Sequence, residues 1–346
     1  MNPTQALDRR DFFHWGINGL GAMALASLLA SENTTASDRS GLRVAKAKRA
    51  IHICLVGGLS HVDSFDYKPE LTKLHGKSLQ TDEKPDIFFG QMGLLRGEDW
   101  KFKPRGQSGL MISDMFPHIA ELADDLTVLR SMESKSANHT PGLFLANSGF
   151  EFNGFPSMGS WISYGMGVEN ESLPAYVVLN DERGAPNTGA STWSSAFLPS
   201  NHQGVVLIGG QQPVRDLFSG KRHSDETNAA TLRFIQAVNQ QHVDRTGSDA
   251  TLLARLKSYE LAAKMQTSIP QVSSFADESA ATQEAYGIHD GQTADMGRRC
   301  LLGRRLLEQG VRFVQCFPAP DCRQSPRELG CARERQRESH FGSGAD

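Results

Sequence analysis

The chain of 346 residues is poor in net charge, in aromatics and in cysteine. A net charge of only −3 excludes the basic footprint that nucleic acid or an acidic membrane surface requires. Past the N-terminal segment no apolar run is long enough to span a bilayer. The five cysteines, Cys54, Cys300, Cys316, Cys322 and Cys331, show no zinc-knuckle spacing, and no disulfide framework is expected from them. Cys54 falls in an expected core strand and Cys300 in an expected helix, where a small apolar role suffices. Hydrophobic content of 39% and charged content of 22% fit a globular protein of one large domain or two small ones.

The N-terminus is different. Asp8-Arg9-Arg10-Asp11-Phe12-Phe13 precedes a weakly apolar, Gly/Ala-rich stretch from Ile17 to Ala30. This resembles a twin-arginine export signal, so the translocation machinery is an expected partner, with a periplasmic or extracellular destination. A buried amphipathic helix with a charged start is the alternative. Ala24-Leu25-Ala26 has a small-x-small form inside the apolar stretch and no clean cleavage site follows, which leaves a retained anchor open. Residues 1–40 are read as signal and polar linker, 41–317 as the folded domain, and 318–346 as an aberrant tail.

The most informative stretch follows the linker. Ile51, Ile53, Leu55 and Val56 form an apolar run with β-branched residues, expected as a buried strand. Gly57-Gly58 ends it, and His61, Asp63 and Asp66 follow as candidate metal ligands. Sites in α/β proteins form where strands end at the carboxyl edge of a sheet, and glycine there permits positive φ. The plain alternative is a solvated polar loop.

Further along, Pro69 to Trp100 reads as irregular, and a short helix starts at Phe116-Pro117. Leu126 to Met132 is expected as a second core strand. A helix should open at Asn138-His139-Thr140-Pro141 and end near Ser148-Gly149, with a third strand from Pro174 to Leu179. Ala185 to Gly210 reads as loop with short strands. Ala229–Val243, Ala250–Gln266 and Thr293–Gln309 read as helices, the last stopped by Gly310, and Val311 to Phe317 as a strand. Strands alternating with helices predict a mostly parallel sheet covered on both faces.

Gly57-Gly58-Leu59-Ser60-His61-Val62-Asp63-Ser64-Phe65-Asp66-Tyr67-Lys68-Pro69 resembles the opening motif of an exported bacterial family, domain of unknown function fifteen-oh-one, of the alkaline phosphatase/sulfatase-like superfamily. Gly106-Gln107-Ser108-Gly109, Pro117-His118, Asn138-His139, Pro156-Ser157-Met158-Gly159-Ser160-Trp161, Tyr259-Glu260-Leu261-Ala262 and Gly310-Val311-Arg312-Phe313-Val314-Gln315 are similar too. The resemblance implies a three-layer α/β/α alkaline phosphatase-like core with a mostly parallel sheet, its carboxyl half missing here. It also implies a divalent metal ion (zinc, calcium or magnesium) held by Asp63, with His61 and Asp66 as weaker matches. Sulfatases carry their modified cysteine at a helix start. Here His139 stands in that place, followed by Thr140-Pro141. Thr140 is the candidate nucleophile, His139 the candidate base or metal ligand, and Asn138 the candidate substrate contact; a capping role for Asn138 and a structural role for His139 are the alternatives.

From Pro318 the composition shifts to arginine-rich and nearly apolar-free. A reverse translation of Glu328 to Phe341, shifted by one base, yields Trp-Asp-Ala-His, a motif expected in the family's next segment. A one-nucleotide frameshift between about Phe317 and Asp321 and a premature stop are therefore expected. Three functions follow: a metal-dependent hydrolase of phosphate or sulfate esters, inactive in this truncated form; a noncatalytic exported protein binding glycans or partners; or a nonfunctional fragment.

Overall fold

The computed structural model describes residues 46–80, 93–134, 136, 138–208, 225–247 and 250–318. The residues expected as an export signal, and all of the expected tail but Pro318, lie outside them. The chain forms two compact units, residues 57–142 and the residues before and after that segment. In chain order its elements begin with β1 (Ala50–Ile53), α1 (His61–Ser64), α2 (Pro69–Lys73), β2 (Phe102–Arg105), β3 (Leu110–Ser113) and α3 (Pro117–Ala120). Next come α4 (His139–Ser148), α5 (Met158–Met166), β4 (Tyr176–Asn180) and β5 (Val205–Ile208). The last are α6 (Asp225–Thr246), α7 (Ala250–Ser273), α8 (Ala280–Ala285), α9 (Ala294–Glu308) and β6 (Phe313–Cys316).

The larger unit is built on a parallel sheet of order β1-β6-β4-β5. Parallel strands are stable when both faces are covered, and β4 and β6 are buried along their whole length. On one face Val177, Leu179, Leu207, Val314 and Cys316 pack with Met265, Ile269 and Val272 of α7 and Leu302 and Leu306 of α9. On the other, Tyr176, Val178, Phe313 and Phe317 pack with Leu143 of α4, Trp193, and Met158 and Ile162 of α5. The layering is therefore helix, sheet, helix. Two glycines allow the close packing. A Cβ on Gly159 of α5 would lie 2.5 Å from the Tyr176 ring, and one on Gly303 of α9 would lie 3.1 Å from Ile51 Cδ1.

β1 is not the buried strand that its composition predicts. It is an edge strand paired only with β6 among the described residues, and Ile51 and Ile53 are 41% and 46% exposed. β4 and β6 occupy the centre instead.

Among the polar groups buried in this unit are two clusters at the sheet. Gln315 of β6 accepts a hydrogen bond from the Tyr176 hydroxyl and donates to the Asn147 carboxamide and to His52 Nδ1. Asn147 in turn donates to Leu143 O at 2.7 Å. At the end of β4, Asp181 meets Arg299 of α9 at 2.7 Å, and Arg299 also donates to Phe317 O. Burial pushes the Asp181 carboxyl up, but Arg183 and Arg299 outweigh it and hold it below its ordinary range.

The smaller unit carries the antiparallel hairpin β2-β3, turned by Gly106-Gln107-Ser108-Gly109. The Asp124 carboxylate accepts from the Gln107 and Ser108 amides at 2.9 and 2.7 Å. Ile112, Ala120 and Ala123 form its core, with Phe65, Leu110 and Phe116 against them. The strand expected over Leu126–Met132 does not form. The segment pairs with no strand among the described residues, and Leu129 and Met132 are 71% and 75% exposed. Its apolar alternation matches a strand, but strand structure also needs a neighbour. The stretch expected as irregular after Pro69 holds α2, with proline at its first position.

Candidate functional site

All six residues singled out for chemistry lie in the smaller unit. Gly57 and Gly58 both adopt positive φ, +88° and +82°, which turns the chain after β1 into the single-turn α1. His61 opens α1 and is exposed. Its Nδ1 lies 3.1 Å from Asp66 Oδ2, and Lys68 Nζ lies 2.9 Å from the same oxygen. Lys68 first, and His61 after it, hold the buried Asp66 carboxyl below its ordinary range. Asp63 accepts a short bond from the Ser60 hydroxyl, 2.5 Å, and its backbone carbonyl accepts from Ser113 of β3 at 2.6 Å.

The second half of the candidate site is the start of α4. Asn138 Oδ1 accepts from the Thr140 amide at 3.0 Å, so this side chain caps the helix. The His139 ring lies against Gly57: a Cβ there would sit 3.3 Å from His139 Cε1. Glycine at 57 thus serves both the backbone turn and the approach of this ring.

The structure joins His61 to Asp66, and His139 to the Gly57 turn. It does not gather His61, Asp63 and Asp66 into one ligand set, and among the described residues no three His, Cys, Asp or Glu side chains converge on a metal position. The residues present do not fit a divalent ion as arranged. An ammonium already neutralises Asp66, and Asp63 is engaged by a hydroxyl. Lys68, two residues beyond Asp66, stands in the opening motif without a role assigned to it; its signal was an opposite charge beside the acid.

A separate surface was not read at all. On the larger unit, the Trp161 ring makes edge contacts with Tyr164 and Phe197, at 6.2 and 5.9 Å between centroids, and Tyr164 makes one with His202. Tyr164 and Phe197 are 50% and 60% exposed. Ala196, just before Phe197, has φ +46°, a conformation costly for any residue with a Cβ.

With the geometry in view, the chain was compared with known proteins. The family described as protein of unknown function (DUF1501) matches residues 47–319. The chain belongs to this family. The match spans both units and ends just past β6. No curated protein and no solved structure gives a significant match.

Proposed function

We propose that this chain is an exported, phosphate- or sulfate-ester-binding protein with the layering of an ester hydrolase, which holds the anionic group without turning it over. The observation that carries the reading is the meeting of His139 with Gly57. It brings the start of α4 beside the turn after β1, and the positive end of a helix favours an anion. His139, exposed at that end, is the side chain to engage the ester, with Thr140 beside it. Metal-dependent hydrolysis, the activity that the alkaline phosphatase/sulfatase-like resemblance implies, needs at least three convergent ligands. Asp63, His61 and Asp66 do not supply them in this chain. Twin-arginine export stands on Arg9-Arg10 and the apolar stretch after it.

The test combines turnover and binding. Nitrophenyl phosphate and nitrophenyl sulfate are offered with zinc, magnesium or calcium, and inorganic phosphate and sulfate binding is followed by calorimetry. The expected result is no chelator-sensitive hydrolysis, with anion binding that His139→Ala removes. Chelator-sensitive turnover would refute the noncatalytic part, and absence of anion binding would refute the whole reading.

The aromatic surface of Trp161, Tyr164 and Phe197 favours a second reading, a glycan-binding protein, because sugar rings stack on exposed aromatic faces. Retardation of the protein in gels containing polysaccharide, lost in Trp161→Ala, would support it; unchanged mobility would remove it.

A further inference from the structure

Cys300 and Cys316 come together although the sequence spacing hides it. Cys300 sits in α9, one residue after Arg299, which bonds to Phe317 O, and three before Gly303, which packs on Val314. Those partners bracket Cys316 on β6. Cys316 is fully buried and turns toward α9 with the core face of the sheet. This places the two thiols side by side between α9 and β6, and neither is part of a disulfide. Cys300 is partly accessible while Cys316 is not.

We propose that Cys300 and Cys316 are a dithiol that oxidises to a disulfide pinning α9 to β6. The neighbouring Cys316 thiol and the charge of Arg299 lower the Cys300 thiol from its ordinary range, whereas Cys316 is pushed up by the neighbouring Cys300 and by burial. Cys300 is therefore the thiolate that attacks. The oxidant is a small or protein disulfide, such as oxidised glutathione. Cys300 Sγ displaces one glutathione thiolate and forms a mixed disulfide. Cys316 then gives up its proton and attacks Cys300 Sγ, which releases the second glutathione. Two protein thiols are oxidised and one glutathione disulfide is reduced to two thiols.

The full chain is incubated in oxidised glutathione, alkylated without reduction, digested with trypsin and analysed by fragment mass spectrometry. Cys316 and Cys322 fall in one tryptic peptide, so the experiment is run in a Cys322→Ser background. The expected result is a Cys300–Cys316 cross-linked pair that dithiothreitol reverses. Oxidation should also raise the unfolding midpoint, and Cys300→Ser should abolish both effects. Cys300 that stops at the glutathione adduct, a cross-link between Cys316 and Cys54, or two thiols that both stay free in folded protein would each overturn the proposal. Circular dichroism on every variant separates these outcomes from misfolding.

Discussion

At the scale of single residues, the candidate site divides into groups that hold the backbone and groups proposed to meet the ester. Asn138 belongs to the first kind, because its side-chain oxygen is spent on the Thr140 amide. Asn138→Ala should cost about 1 kcal/mol in denaturant unfolding, a usual loss for a cap. His52 is a second structural residue. Its Nδ1 faces the donating amide of Gln315, so it must be neutral, and burial pulls its pKa below the usual value. The unfolded chain takes up this proton near pH 6.5, and the folded chain takes it up only at lower pH. Stability should therefore fall as the pH drops from about 6.5 toward the folded value. In melts at stepped pH, His52→Asn should flatten that slope. Asp66 acts in a lower window. Its folded pKa is depressed, so its contribution is complete above about pH 3.9 and disappears as the pH falls through the folded value.

At the scale of elements, the long helices and central strands were legible in the sequence, whereas of the small unit only the short helix α3 at Pro117 was. α6, α7 and α9 carry long helical patterns between breakers, and β4 and β6 are short β-branched runs bounded by turn signals. The β2-β3 hairpin escaped notice because Phe-Lys-Pro-Arg has a proline and two cations where a strand shows alternation. What fixes it is nonlocal: the Asp124 carboxylate grips the turn. Leu126–Met132 failed in the opposite way, with a strand pattern and no partner. The candidate site was half legible. Residue types and the glycine turn could be read, but the contact of His139 with Gly57 and the diversion of Asp66 to Lys68 depend on the fold. Gly106→Ala tests the hairpin. Its φ is +59°, and a Cβ would meet Asp124 Oδ1 at 2.4 Å. The substitution should cost more than about 1 kcal/mol and raise amide exchange across β2 and β3, measured by hydrogen–deuterium exchange.

At the scale of the whole molecule, two features set behaviour in solution. No helix of the described residues is long and apolar enough to cross a membrane. The sheet nevertheless ends in an edge strand, β1, whose Ile51 and Ile53 are partly bare, with Leu55 beyond them. Unpaired edges of this kind template association. Ile53→Lys should lower self-association in light scattering at high protein concentration without a drop in helix content. An unchanged scattering profile would place the association elsewhere.

The strand order also imposes a timetable. β6 is the last strand among the described residues, yet it separates β1 from β4. While a ribosome is still making the polypeptide, β1 has no hydrogen-bonding neighbour among the described strands until Cys316 has left the exit tunnel. The sheet cannot close strand by strand during synthesis. β4 and β5 can pair early, but β1 joins them only in a late event, after its apolar residues have waited unsheltered through most of synthesis, and that interval is when a chaperone has something to hold.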